Sequence, residues 1–206
     1  MARTLVADQT GRETRTRIRR AALHLFSERG YAGTSIAAVA KAVGLSTPGV
    51  LHHFPDKRAL LIAVLEDRGN PAADEVVQGY GDLTVAEALN LMVRTAQQNL
   101  RNREVIRLEH LCALAPGDSA EIAGEWSRAR LARMRTEIEA VAERALRDGE
   151  ISGDPPDTEN IAGLVIAAFL GLEHQWLLDE NFDMVAGMRT FAALLANRFG
   201  LPAPQA

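Results

Sequence analysis

The stretch from Thr34 to Lys57 constrains this chain more than any other. Thr34 or Ser35 suits a helix N-cap, because its hydroxyl accepts from the free amides of the first turn. Ile36, Val39, Ala40 and Val43 then recur at helical spacing and define one buried face. Gly44 ends that helix, since glycine enters the left-handed conformation without a Cβ clash. Leu45 plugs the turn, Ser46 caps a second helix, and Pro48 falls in its first turn, where a missing N–H costs nothing. Val50 and Phe54 are expected to face inward, which leaves Thr47, Gly49 and His52 on the other side. Helix, glycine turn, helix is the helix-turn-helix pattern, whose second helix enters the major groove of DNA.

Charge is distributed to match. The net charge is −4, but residues 1–60 carry ten Lys/Arg against four Asp/Glu, so the acidity belongs to the rest of the chain. A basic head on an acidic body is what a DNA-binding domain on a DNA-avoiding carrier requires, although a solvated surface also tolerates it. Arg12, Arg15, Arg17, Arg19 and Arg20 crowd the start of the first expected helix with only Glu13 among them. That places positive charge at the wrong helix end, and a nearby phosphate backbone would relieve the conflict. Lys57 poses the same conflict in the first turn of the helix that Asp56 caps. The bland alternative for these cations is simple solvation.

Thr10 with Glu13 has capping-box spacing, so residues 1–12 are expected to form an arm and the first helix to run to about Arg29. Its core face is Ile18, Ala21, Ala22, Leu25 and Phe26. A connecting helix from Asp56 should break at Gly69-Asn70-Pro71, and a further helical piece should end near Gly79. Helices are then expected over Thr84–Leu100, Asn102–Ala115, Asp118–Asp148, Thr158–Leu178 and Asp183–Phe199. Ala115-Pro116-Gly117 and residues 152–157 are loops between them. The fold class is therefore all-α, divided into a helix-turn-helix domain over 1–57 and a larger helical domain over 58–206. Ile161 to Leu172 is apolar on every side, so that helix must be surrounded. Its small residues and the two-fold symmetry of paired half-sites both call for a second subunit. At twelve residues this segment is too short to span a bilayer, the single Cys112 suits a reducing compartment, and no apolar leader opens the chain. The expectation is a cytoplasmic protein with no membrane partner.

Preceded by residues 21–31, the motif resembles the N-terminal domain of the tetracycline-repressor (TetR) family of regulators. The likeness rests on Phe26, the Gly30-Tyr31 turn, Thr34, Ile36, Ala40, Gly44, Leu45, Ser46, His53, Phe54, Lys57 and Leu60. It implies a dimer on a palindromic double-stranded operator, with His52 toward bases and His53 toward a phosphate. The expected DNA-binding residues are Thr34, Ser35, Ser46, Thr47, Pro48, Gly49, Leu51, His52, His53 and Lys57, with Arg15 and Arg19 from the first helix. Two departures stand out: Leu51 replaces a tyrosine that commonly binds phosphate, and Ala37 replaces an arginine that reads bases in some members. The resemblance also implies a four-helix dimer interface from Asp118–Asp148 and Thr158–Leu178, with Ala167, Ala168, Gly171 and Leu172 in it.

The usual catalytic fingerprints are absent, so no enzyme, cofactor or metal is expected. Glu109, His110 and Cys112 do not share a helical face, which argues for core roles rather than a metal site. A small-molecule effector is expected instead, in a pocket using Met92, His110, Trp126, Arg130 and Phe169, with Arg133 on the Trp126 face and Glu137 placed to pair with it; a packed helical core with a charged rim would look the same. The alternative is a helix-turn-helix regulator or nucleoid-associated protein with no ligand.

Overall fold

The structure, a computed structural model of the chain, describes residues 2–66, 80–114, 118–151 and 158–204. Among them are nine α-helices and no strand. They are α1 (Ala2–Arg29), α2 (Ile36–Val43), α3 (Thr47–His53), α4 (Lys57–Glu66), α5 (Val85–Asn99), α6 (Arg103–Leu114), α7 (Asp118–Arg147), α8 (Thr158–Leu178) and α9 (Met184–Arg198). The expected break at Gly69-Asn70-Pro71, the helical piece ending near Gly79 and the loops at 115–117 and 152–157 lie outside the described residues.

The helices form two compact units: residues 1–69 with 104–127, and residues 70–103 with 128–206. The first reaches beyond residue 57. Leu60, Leu61, Ala63, Val64 and Leu65 of α4 and Leu108 and Cys112 of α6 join Ile18, Ala22, Leu25 and Phe26 of α1 in one core, closed by Val39, Ala40, Val43, Val50 and Phe54. An eight-residue and a seven-residue helix are too short to stand alone in water. Their apolar stripes persist because α1 and α4 cover them. Phe26, Val39, Val50, Leu60 and Leu61 are wholly buried, at roughly 1.5–3 kcal/mol apiece for the larger side chains. The Cys112 thiol is buried in this core, and burial pushes its pKa up to about 11.

The start of α1 differs from expectation. The helix begins at Ala2, so the arm and the Thr10–Glu13 cap are not formed. Arginine is a good helix former and Gly11 costs only about 1 kcal/mol, so nothing in this stretch stops the helix. The arginines therefore sit well inside a 28-residue helix rather than in its first turn.

In the second unit, α5 lays Val85, Ala88, Leu89, Met92, Val93 and Ala96 against a core that includes Met188, Ala192 and Ala196 of α9. Alanines at those positions let the two helices approach closely. Thr84 caps α5 in a complete capping box: its hydroxyl accepts from Glu87 N at 3.2 Å, and its own amide donates to Glu87 Oε2 at 2.9 Å. The Thr84 bonds hold the Glu87 carboxyl below the usual carboxylate range. Arg144 fastens the far end of α7 to this cap through Leu83 O and through Glu150 Oε2 at 3.1 Å, while Val85 N donates to Glu150 Oε1 at 2.7 Å. A Cβ at Gly187 of α9 would lie 2.7 Å from Leu172 Cδ2 on α8, so that leucine would have to shift to admit one.

The α8 helix spans 21 residues with a mean hydropathy of 1.6 over its most apolar window, enough by length and composition to cross a membrane. Only a third of that window is buried. Ile161, Ala162, Val165 and Ile166 face the core, whereas Leu164 and Leu178 are 58% and 77% exposed.

Candidate nucleic-acid interface

The turn between α2 and α3 is built as its residues require. Ser35, not Thr34, is the N-cap of α2, and its hydroxyl accepts from Ala38 N at 3.1 Å. Gly44 takes φ 70° and ψ 31°, its N–H reaching Lys41 O, while Leu45 N closes on Ala40 O at 2.9 Å. Ser46 caps α3 by accepting from Gly49 N at 3.2 Å, with Pro48 in the first turn. Val50 and Phe54 are buried. That leaves Thr47, Pro48, Leu51 and His52 as one exposed stripe, with Gly49 and His53 half-covered beside it. The two imidazoles stand edge to face, 5.4 Å apart, and so point in different directions. From α2, Ala37 and Lys41 are exposed next to Ser35.

Three of the expected DNA contacts have work inside the protein. Thr34 is 2% exposed, and its hydroxyl lies 3.0 Å from both Leu25 O and Gly30 O, the last carbonyls of α1 and its turn. It cannot reach a groove, so its expected DNA contact is corrected to a structural one. Thr34→Val keeps the shape but leaves those carbonyls without their donor. It is expected to lower stability by about 1 kcal/mol, read as a fall in melting temperature with operator preference unchanged.

Lys57 is the second. Its ammonium donates to Tyr31 O at 2.8 Å and Thr34 O at 3.0 Å, and stands 4.2 Å from the Tyr31 ring centroid. A cation in a helix first turn is thus satisfied within the chain by carbonyls and an aromatic face. One of its three ammonium protons remains for the outside. Asp56 caps the same helix end as expected, accepting from Ala59 N at 2.6 Å.

Arg15 is the third, and Arg17 works the same way. Arg15 Nη1 donates to His53 O, the last carbonyl of α3, at 2.8 Å, and its guanidinium lies 4.3 Å from the Phe54 ring centroid. Arg17 Nη2 donates to Val43 O, the last carbonyl of α2, at 2.7 Å. Two arginines on α1 therefore hold the C-terminal ends of both helices of the motif, where the helix dipole favours a cation. Position along the chain shows these arginines near a helix N-terminus and does not reveal these bonds. The available signal was their spacing of two along α1, matched to two helices that each end without a cation of their own beyond histidine and Lys41. Arg19 is half-buried, and Arg12 and Arg20 are exposed.

The expected effector residues are divided between the two units. His110 and Trp126 belong to the first, Met92, Arg130 and Phe169 to the second. In the second, Met92 helps line an apolar cavity of about 50 Å³ with Tyr80, Leu89, Ile138, Ile161, Val165 and Phe199. Burial, with Glu137 adding to it, pushes the Tyr80 hydroxyl up to about 12, so it stays neutral. Two buried polar residues went unnoticed in the sequence. Glu173 is 1% exposed on otherwise apolar α8 and accepts from Asn99 Nδ2 at 2.7 Å. Burial lowers the Arg130 pKa, and the Glu173 charge opposes that shift. Among the described residues no cluster of histidine, cysteine and carboxylates is arranged to hold a metal.

An all-helical chain presenting a capped, clamped helix-turn-helix stripe is a DNA-binding protein of the helix-turn-helix class. Residues 18–64 match the bacterial regulatory proteins of the tetR family. The chain is 29% identical over 188 residues to the HTH-type transcriptional regulator TtgR of Pseudomonas putida, spanning 86% of this chain and 87% of that one. It is 26% identical over 204 residues to AcrR of Shigella flexneri, spanning 93% and 91%. Among solved structures, the complex of SmeT with triclosan superposes with a TM-score of 0.77 over 90% of each chain at 20% identity; SmeT is the repressor of the multidrug efflux pump SmeDEF of Stenotrophomonas maltophilia. Over most of its length the chain is thus similar to HTH-type transcriptional regulators, with the tetR-family match confined to residues 18–64.

Proposed function

We propose that this regulator binds a palindromic operator as a homodimer, represses from it, and is released by a small-molecule effector. The observation that carries the reading is the exposed stripe Thr47, Pro48, Leu51 and His52, on a helix whose start is capped by Ser46 and whose end is held by Arg15. Side chains on such a helix read base edges only if the backbone is fixed, which is what caps and clamps achieve.

The dimer reading is supported by the unburied apolar side of α8. Leu164, Ala167, Gly171 and Leu178 are exposed there, and Leu194 of α9 is 65% exposed. Ala168 and Leu172 are half-covered, and Leu172 already packs on Gly187. The surface we assign to the second copy is thus α8 with α9, in place of the α7 and α8 pairing expected from the sequence. A helix this apolar needs cover, and an isologous copy supplies it.

The effector reading is supported by the second unit, which has an apolar cavity lined in part by Met92 and, elsewhere, a buried polar pair of Asn99 and Glu173; apolar walls with a few polar groups are what small-molecule sites use. SmeT holding triclosan shows that a chain of this fold accommodates a small aromatic molecule. Operator binding needs the two recognition helices about 34–36 Å apart or a multiple. An effector favouring another spacing by about 3 kcal/mol lowers operator affinity more than a hundredfold, and operator must weaken effector binding by the same factor.

The test is to select a duplex from a randomised pool, then screen small aromatic and apolar compounds for a raised melting temperature and for release of that duplex. A compound that does both, more weakly when the duplex is present, is expected. If compounds stabilise nothing and release nothing, the regulator acts without a ligand.

A further inference from the structure

The α3 sequence from Thr47 to His53 contains no arginine, lysine, asparagine or glutamine. Those four residues supply the bidentate hydrogen bonds by which guanine and adenine are read in the major groove. Lys41 is an exposed cation on neighbouring α2, where Ala37 is exposed with only a methyl to offer. What remains on the outward stripe of α3 is one hydroxyl, one imidazole and two apolar groups, Pro48 and Leu51. Leu51 is 39% exposed while its neighbour Val50 is wholly buried, so the leucine points away from the core. It follows Thr47 by four residues and Pro48 by three, which places all three on one helical face. A single exposed leucine elsewhere would need no explanation. Here it stands in the middle of the face presented to DNA, on a backbone fixed at both ends.

We infer that Leu51 is a specificity-determining residue that packs on the 5-methyl group of a thymine in the major groove, so that each half-site is read at a methyl rather than by a bidentate hydrogen bond from α3. The thymine methyl is the one apolar feature of the major-groove edge, and an apolar side chain is its natural partner. Burying it removes two apolar surfaces from water at once. The inference rests on the operator-binding reading above.

The experiment uses the full chain and a duplex it selects from a randomised pool. Each thymine is replaced in turn, in both half-sites, by deoxyuridine, which pairs identically and lacks only the methyl. Affinity is read by fluorescence anisotropy at fixed salt. At one position the wild type is expected to lose about fourfold per half-site, roughly fifteenfold for the palindrome, the factor for one buried methyl. Leu51→Ala should bind the thymine duplex more weakly by a similar factor and lose nothing further with deoxyuridine at that position. Its melting temperature should match the wild type, because the side chain is outside the core. Deoxyuridine duplexes that all bind within twofold of the parent overturn the inference, as does a Leu51→Ala variant that still loses the full factor. A wild-type chain that selects no duplex at all overturns the operator reading itself.

Discussion

Replacing Leu164 by glutamate is expected to convert the protein to a monomer and to lower operator affinity by about a hundred- to ten-thousandfold. Leu164 is 58% exposed on α8, so the carboxylate is solvated in the single chain and the fold is not strained. In an isologous dimer the same change places two carboxylates in an apolar contact, where each is desolvated without a partner. The loss on DNA follows because two linked half-site contacts become two independent ones, and the gain from linkage is of that order. Sedimentation should show the mass halved while circular dichroism stays helical. If the variant remains dimeric with unchanged operator affinity, the covered face is not α8.

The second large effect concerns Lys57. Its ammonium makes two charge-assisted bonds, to Tyr31 O and Thr34 O, and lies over the Tyr31 ring. Lys57→Ala is expected to cost about 2–3 kcal/mol of stability, from bonds to a charged group worth about 1.5–3 kcal/mol and the loss of the ring contact. A lysine serving only a phosphate gives the opposite pattern. Stability would be untouched, and the slope of log affinity against log salt would fall by about 0.9 for each contact removed. Denaturant titration and a salt series on one variant therefore separate the two roles. A normal melting transition with a shallower salt slope would return Lys57 to the phosphate.

The places where sequence reasoning succeeded share a physical character. Ser35, Gly44, Ser46 and Pro48 act on their own or adjacent turns, through a cap, a left-handed φ or a missing N–H. Such effects depend on a few neighbouring residues, and the residues can be read in order. The buried faces of α1 and α2 follow from apolar spacing for the same reason. The start of α1 did not follow, because cap and helix propensities differ by about 1 kcal/mol or less, too little to place an end.

The partners of the cations within the chain were not legible for a different reason. Arg15 lies 38 residues from the carbonyl it binds, Arg17 26 from its own, and Lys57 26 and 23 from its two. A charge pattern shows that a cation needs an acceptor but not which acceptor arrives. Here the acceptors within the chain are carbonyls at the ends of α2 and α3 and in the turn after α1. Glu173 is the converse, an acid within an apolar run whose partner Asn99 is 74 residues away.

By itself, then, the sequence determined an all-helical chain with a helix-turn-helix at Thr34–Lys57, the outward stripe of its second helix, and the excess of apolar surface on Thr158–Leu178. These are consequences of local geometry and of the period of a helix. Only the tertiary structure decided that Thr34 is buried, that Arg15 and Arg17 clamp the motif, that α4 and part of α6 share its core, and that the uncovered leucines fall on α8 and α9. Each of those depends on which groups remote in the chain meet, and burial and pairing have no expression along a sequence until the chain has closed on itself.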